Sequence, residues 1–151
     1  MTDAVLVSRI TPLRHGAWTD EPSAAALGQA LSALEMGDVV FLPDLPFEID
    51  RSELNAFSPA IAGSAKNVGF DPATGRIGGT VLGGDDLRAL TDMLARFSRQ
   101  ASALVDRLLP AYRGRVDLGR TSFRPVEIAG RQTSWRKDDT RLHIDAFPAS
   151  P

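Results

Sequence analysis

Residues 85–109 constrain the fold more than any other stretch. Leu87, Leu90, Leu94, Phe97, Ala101, Leu104 and Leu108 recur at steps of three and four, the spacing that puts side chains on one stripe of an α-helix. Asp85 and Asp86 stand where a helix N-terminus favours acids, and Pro110 cannot continue the pattern. Such a helix runs roughly 37 Å. Its apolar stripe must be buried against something, so the rest of the chain has to supply a partner layer.

The preceding residues offer such partners. Residues 4–10 read as a short strand. Pro22 and Ser23 open a second helix in which Leu27, Leu31 and Leu34 share a face, and Gly37 is placed to close it. Val39 to Leu42 is a short apolar run between Gly37 and Pro43 and suits a buried strand. Asp50 or Ser52 can cap a short helix that ends at Phe57. Residues 58–84 are rich in Gly and Pro, with brief strands expected near Val68 and Val81. After Tyr112 the character turns β-prone, around Val116, Phe123, Val126, Ile128, Trp135 and Leu142. Mixed helix and strand followed by β predicts an α+β architecture in which helices brace a sheet or barrel. It also predicts a boundary at residue 112, with an α/β region over 1–112 and a β region over 113–151.

Composition excludes several functions. The net charge of -2 argues against a general nucleic-acid binder. With no cysteine there is no disulfide framework, thiolate zinc site or iron–sulfur cluster. No stretch approaches the ~20 apolar residues of a membrane span, and the first residues lack a secretory signal pattern. Gly78-Gly79 and Gly83-Gly84 lack the lysine and hydroxyl residue of a phosphate-binding loop and read as turn glycines. Ser134 and His143 carry no nucleophile signature around them.

One short motif carries chemistry. In His143-Ile144-Asp145 the imidazole and the carboxylate stand two positions apart. On a strand they share a face, so both can reach one cation. Two histidines and one carboxylate form the facial triad of non-haem iron oxygenases and leave the opposite coordination face open. By spacing alone, a hydrogen-bonded His–Asp surface pair is the favoured reading, because His-x-Asp is a common chance pattern.

The flanks of the motif resemble the Kdo (3-deoxy-manno-octulosonic acid) hydroxylase family. The likeness lies in Arg120 to Glu127 and Gly130 to Pro148, above all Ser134-Trp135-Arg136-Lys137-Asp138-Asp139 and the exit through Ala146-Phe147-Pro148. Ala65-Lys66-Asn67-Val68, Asp71-Pro72 and Gly75 resemble an earlier region of the same family. The resemblance implies an Fe(II)- and 2-oxoglutarate-dependent dioxygenase on a double-stranded β-helix, or jelly roll. O2 and 2-oxoglutarate would be cosubstrates. The implied reaction converts Kdo to its 3-hydroxy derivative, Ko, in the lipopolysaccharide inner core. The implied partner is a Kdo-containing lipid A precursor, met in the cytoplasm or peripherally on the cytoplasmic face of the inner membrane. His143 and Asp145 would be two iron ligands, and residues 113–151 would begin the β-helix core. The family also needs a distal histidine and a basic residue for the oxo acid. His15 is the only other histidine and reads as a surface or loop residue. The resemblance therefore implies an N-terminal fragment, with an incomplete jelly roll that is inactive alone.

Eight cations between Arg113 and Arg141 read either as a solvated β surface or as a rim for anions. Arg124 and Arg136 lie in the family-like segments and are the substrate-binding candidates, with Lys66 a third in its Gly-rich loop. Trp135 reads as packing rather than as a sugar platform. A rival class stays open, a non-catalytic module that binds an acidic glycan or lipid head group through these arginines. An oxoglutarate hydroxylase with another substrate is the third reading.

Overall fold

A computed structural model describes residues 9–63, 65 and 67–125. Its element order is β1 (Ile10–Pro12), α1 (Ala24–Glu35), β2 (Val39–Phe41), a 3-10 helix (Arg51–Phe57), a second one (Pro59–Ala62), β3 (Val68–Asp71), β4 (Arg76–Gly78), α2 (Gly84–Leu108), a last 3-10 turn (Pro110–Tyr112) and β5 (Thr121–Phe123). β1 and β2 form a parallel pair, while β4-β3-β5 is an antiparallel sheet.

The long helix is present as its spacing predicts. α2 buries Leu90, Met93, Leu94, Ser98, Leu104 and Leu108, with Asp85 and Asp86 in its first turn. Its N-terminal half packs on one face of the three-stranded sheet, where Val68, Phe70, Leu90, Met93 and Leu94 meet Ala56 and Ile61. Its C-terminal half meets Leu13 and Ala30, with Val40 against them. One helix thus carries two cores. Phe97 departs from the predicted stripe at 40% exposure; its ring stands edge-on to Trp18 and Phe47.

α1 begins at its predicted cap, with the Ser23 hydroxyl accepting from the Ala26 amide, and Gly37 closes it at φ 77. Its buried face is not the leucine face. Ala30 and Ala33 are buried and Leu34 is exposed. The small side chain of Ala30 lets α1 approach Leu104 and Leu108 of α2 closely. β1 takes in Ile10, the last residue of the expected first strand, and runs to Pro12; residues 4–8 of that expectation lie outside the described residues. β2 is half-buried rather than buried, with Val39 and Phe41 exposed and only Val40 turned inward. A two-stranded pair covered on one side buries alternate residues only.

Asp50 is the N-cap of the 3-10 helix, and its amide donates to Glu53 Oε2 at 2.9 Å. The strand expected near Val81 forms instead at Arg76–Gly78, because Asp71 turns the chain early. Its Oδ1 accepts from the amides of Ala73 and Thr74, and Gly75 completes the turn at φ 69. Val81 is exposed, with its amide on the Ile61 carbonyl. Val116 is likewise exposed and outside any strand.

His15 corrects the sequence reading. It lies in a loop, as expected, but it is buried at 6% exposure. The Leu13 amide donates to the Phe41 carbonyl and extends the β1 alternation by one step. Leu13 and His15 therefore face inward while Arg14 faces out. Among the described residues, His15 Nε2 finds no hydrogen-bond partner.

Candidate functional site

Alternation along β3 gives its sheet two different faces. Val68 and Phe70 point into the core, so Asn67, Gly69 and Asp71 belong to the opposite face. Strand pairing extends that face sideways. Gly69 pairs with Gly78 on β4 and Ser122 on β5, and Asp71 pairs with Arg76. By the same alternation Arg120 and Arg124 flank Ser122 on this side, while Thr121 and Phe123 turn to the other. A half-open pocket of about 530 Å³ lies over this face, lined by Asn67, Asp71, Thr74, Arg76 and Arg120 above the glycine floor.

The polar groups around it are held in place. Arg124 Nε donates to Asn67 Oδ1 at 3.0 Å, which joins the start of β3 to the end of β5. Asn67 is itself constrained. Gly79 passes so close that an added Cβ would stand 2.3 Å from the Asn67 carbonyl oxygen, and Gly79 has φ +79. Thr80 Oγ1 and the Val81 amide both donate to the Ile61 carbonyl and pin this crossing from the other end. A hydrogen bond from the Thr74 side chain holds the Asp71 carboxyl below the usual range, helped by the amides of Ala73 and Thr74 and by the charge of Arg120. Asp71 is therefore an acceptor already in use, set among guanidinium donors. Such a face suits a ligand that carries both an anionic group and hydroxyls.

Of the residues singled out by sequence, Arg124 adjoins this pocket through its bond to Asn67 but does not line it. His143, Asp145, Arg136 and Lys66 lie outside the described residues. Among the described residues no three His, Cys, Asp or Glu side chains gather as a metal site, and His15 belongs to no such group. Sequence reasoning missed Arg76 and passed over Arg120 and Asn67 as site residues. The signal for Arg76 was the hairpin: Asp71, a Pro-Ala-Thr-Gly turn and Arg76 put that arginine opposite Asp71 in register. Elsewhere in the basic run only Arg113 and Arg115 are also among the described residues; Arg131, Arg136, Lys137 and Arg141 lie outside them. Arg113 donates to the Asp106 carbonyl at the end of α2, and Arg115 is exposed.

Comparison with known proteins agrees with the fold. A family model described as 3-deoxy-D-manno-oct-2-ulosonic acid (Kdo) hydroxylase matches residues 17–151. The crystal structure of a Kdo hydroxylase, KdoO, described as a non-haem Fe(II) alpha-ketoglutarate dependent dioxygenase in complex with cobalt(II), is 41% identical. The match has a TM-score of 0.87 and covers 94% of this chain and 48% of that one. The KdoO complex with alpha-ketoglutarate and Fe(III) is 39% identical, with a TM-score of 0.86 over 95% of this chain and 48% of that one. The complex with succinate and Fe(III) is 38% identical, with a TM-score of 0.85 over 94% and 47%. The chain thus spans about half the length of the solved structures it matches. No curated protein matches it by sequence.

Proposed function

Because this chain belongs to the Kdo hydroxylase family, we propose that the protein is an Fe(II)- and 2-oxoglutarate-dependent dioxygenase that hydroxylates Kdo to Ko in the lipopolysaccharide inner core. The observation that carries the proposal is the family match over residues 17–151, which takes in both His143-Ile144-Asp145 and Arg124. In this reading residues 113–151 begin a jelly-roll core braced by the helices of residues 1–112. The protein works in the cytoplasm, peripheral to the inner membrane, on a lipid A precursor that carries Kdo. Among the described residues no helix is long and apolar enough to cross a membrane.

The donor set suits the metal. The neutral imidazole of His143 and the carboxylate of Asp145 are suitable ligands for divalent iron, and a second histidine would complete the facial triad. Bound iron supplies the oxidative chemistry: O2 and 2-oxoglutarate are consumed, succinate and CO2 are released, and one oxygen atom enters the C–H bond at carbon 3 of the sugar. The chain's own residues bind and orient. His143 and Asp145 would hold the metal. Arg124, braced by Asn67, offers guanidinium to a carboxylate, which both the sugar and the oxo acid possess. Arg136 and Lys66 remain further candidates for the sugar's anionic groups.

The test uses the intact protein with Fe(II), 2-oxoglutarate and a Kdo-bearing lipid A precursor, with product read by mass spectrometry as the gain of one oxygen. His143→Ala and Asp145→Ala are expected to abolish both turnover and iron retention; activity and iron that survive both changes would overturn the proposal. Arg124→Ala separates the two carboxylates. A higher KM for 2-oxoglutarate alone assigns Arg124 to the oxo acid, and a higher KM for the lipid alone assigns it to the sugar. The arginine-lined pocket also favours a second reading, a non-catalytic module for acidic glycans. Saturable glycan binding without iron-dependent turnover would select it.

A further inference from the structure

The glycine floor of the open sheet face has no structural cause within the described residues. Neither Gly69 nor Gly78 has a positive φ, so any residue could adopt either backbone conformation. A Cβ built on either would meet nothing within 4 Å. Glycine inside a strand weakens it, and its usual reason is the close approach of another backbone or of a ligand. Here the two glycines are paired directly across β3 and β4, which doubles the cost and clears one continuous patch. Gly79, next in the chain, is different, because its φ and its approach to Asn67 demand glycine.

The charges around that patch are unbalanced. Arg76 lines it from β4 and Arg120 from the approach to β5. The Arg76 side chain makes no ion pair among the described residues, where the salt bridges lie elsewhere. Arg120 is drawn toward Asp71, but the Asp71 carboxylate already accepts from the amides of Ala73 and Thr74. One carboxylate, with Oδ1 already accepting two amides, therefore shares the pocket with two guanidinium groups, one from β4 and one from the approach to β5. We propose that Arg76 and Arg120, over the Gly69–Gly78 floor, form an anion subsite that takes a carboxylate or phosphate group of an acidic sugar. It is separate from the carboxylate role given to Arg124. The pocket's size, about 530 Å³, falls within the roughly 300–1,000 Å³ usual for small-ligand sites. A sugar ring lies flat on the bare backbone, and the two guanidinium groups close on its anionic substituent with paired N–H donors. The identity of the sugar rests on the hydroxylase reading above; the preference for an anion rests on this sheet alone.

The experiment is an NMR titration of the intact protein at constant ionic strength, without iron. The probes are inorganic phosphate, the methyl glycoside of Kdo and, as a neutral control, methyl mannoside. The Gly69 and Gly78 amide signals are expected to shift saturably with an anionic probe and not with methyl mannoside. Saturation by the Kdo glycoside alone assigns the subsite to a carboxylate, and saturation by phosphate as well assigns it to anions of either kind. Arg76→Gln with Arg120→Gln is expected to weaken binding at least tenfold. Gly69→Val is expected to do the same with the fold retained, since its side chain enters only the pocket. Shifts that follow methyl mannoside, or a double arginine variant that binds both anions like the parent, would overturn the subsite. His143→Ala leaves this titration unchanged, so loss of the hydroxylase reading and loss of the subsite are separate results.

Discussion

Replacing Arg96 by Met tests how the site's scaffold is held. Arg96 Nη1 lies 2.6 Å from Glu53 Oε1 and Nη2 lies 2.9 Å from Oε2, a bidentate pair between α2 and the 3-10 helix. Nη2 also donates to the Glu48 carbonyl at 2.8 Å, and the guanidinium sits 5.0 Å from the centre of the Phe47 ring. Glu53 is 3% exposed and the Arg96 side chain 27%. Methionine keeps the aliphatic stem and removes every one of these donors. The Glu53 carboxylate would then be buried with the Asp50 amide as its remaining donor. Removing one member of a buried pair costs about 3–5 kcal/mol. Water already reaches about a quarter of Arg96, so the expected loss is at the low end, about 3 kcal/mol. Glu53→Gln leaves the Arg96 cation, which is partly exposed and keeps Asp50 at 3.6 Å and the Glu48 carbonyl, and is expected to cost about 1.5–2 kcal/mol. The double variant is expected to lose less than the sum, since each change removes the other's unpaired group.

The pH dependence has a definite sign. The Arg96 hydrogen bond, with the Asp50 amide and the Arg96 charge behind it, lowers the Glu53 pKa from its ordinary 4.5. A carboxyl depressed in the folded state stabilises above its unfolded value, and that contribution disappears as pH falls through the folded value. The stabilisation that the paired Glu53 gives the parent is therefore full above about pH 4.5 and is lost as the pH falls below it, so the parent's advantage over Arg96→Met narrows in acid. Urea unfolding followed by tryptophan fluorescence, repeated from neutral to acid pH, measures this directly, because Trp18 stacks edge-on against Phe47 and Phe97. A loss under about 1 kcal/mol at neutral pH, or a difference that stays constant into acid, would refute the claim that this pair is effectively buried.

Two further outcomes are expected from the site itself. Gly79→Ala forces a left-handed φ on alanine and drives its Cβ into the Asn67 carbonyl, so it should cost at least about 2 kcal/mol; thermal unfolding checks this, with Gly69→Ala as a near-neutral control because its Cβ meets nothing. Asn67→Ala removes the acceptor that orients Arg124 Nε and should raise the KM of the affected carboxylate about tenfold, the equivalent of about 1.4 kcal/mol. Asn67→Asp keeps an acceptor and should restore it, and the Arg124 Nε–H resonance should move with the first change and return with the second.

What could be read from the sequence divides along contact distance. Ser23, Gly37, Asp50 and Pro110 act on their own few residues, and each one starts or stops an element where its local chemistry places it. The long stripe of α2 was legible because a periodic pattern repeated over many residues outweighs any single exception such as Phe97. Errors began where burial depended on a distant neighbour. Nothing local says that Ala30, not Leu34, packs against α2, or that His15 turns inward once Leu13 bonds to Phe41. The site is the extreme of this. Arg124 could be named from its motif-like surroundings, but its partner Asn67 is 57 residues away in sequence, and Arg76 and Arg120 share a face only because β3 pairs with β4 on one edge and with β5 on the other. One residue of slip in the β4 pairing would send Arg76 to the opposite face, and one in the β5 pairing would do the same to Arg120 and Arg124. The function of this sheet therefore depends on register. Register in turn rests on the buried face, where Val68 and Phe70 lock β3 onto α2 and leave Gly69 and Asp71 no choice but to face the pocket.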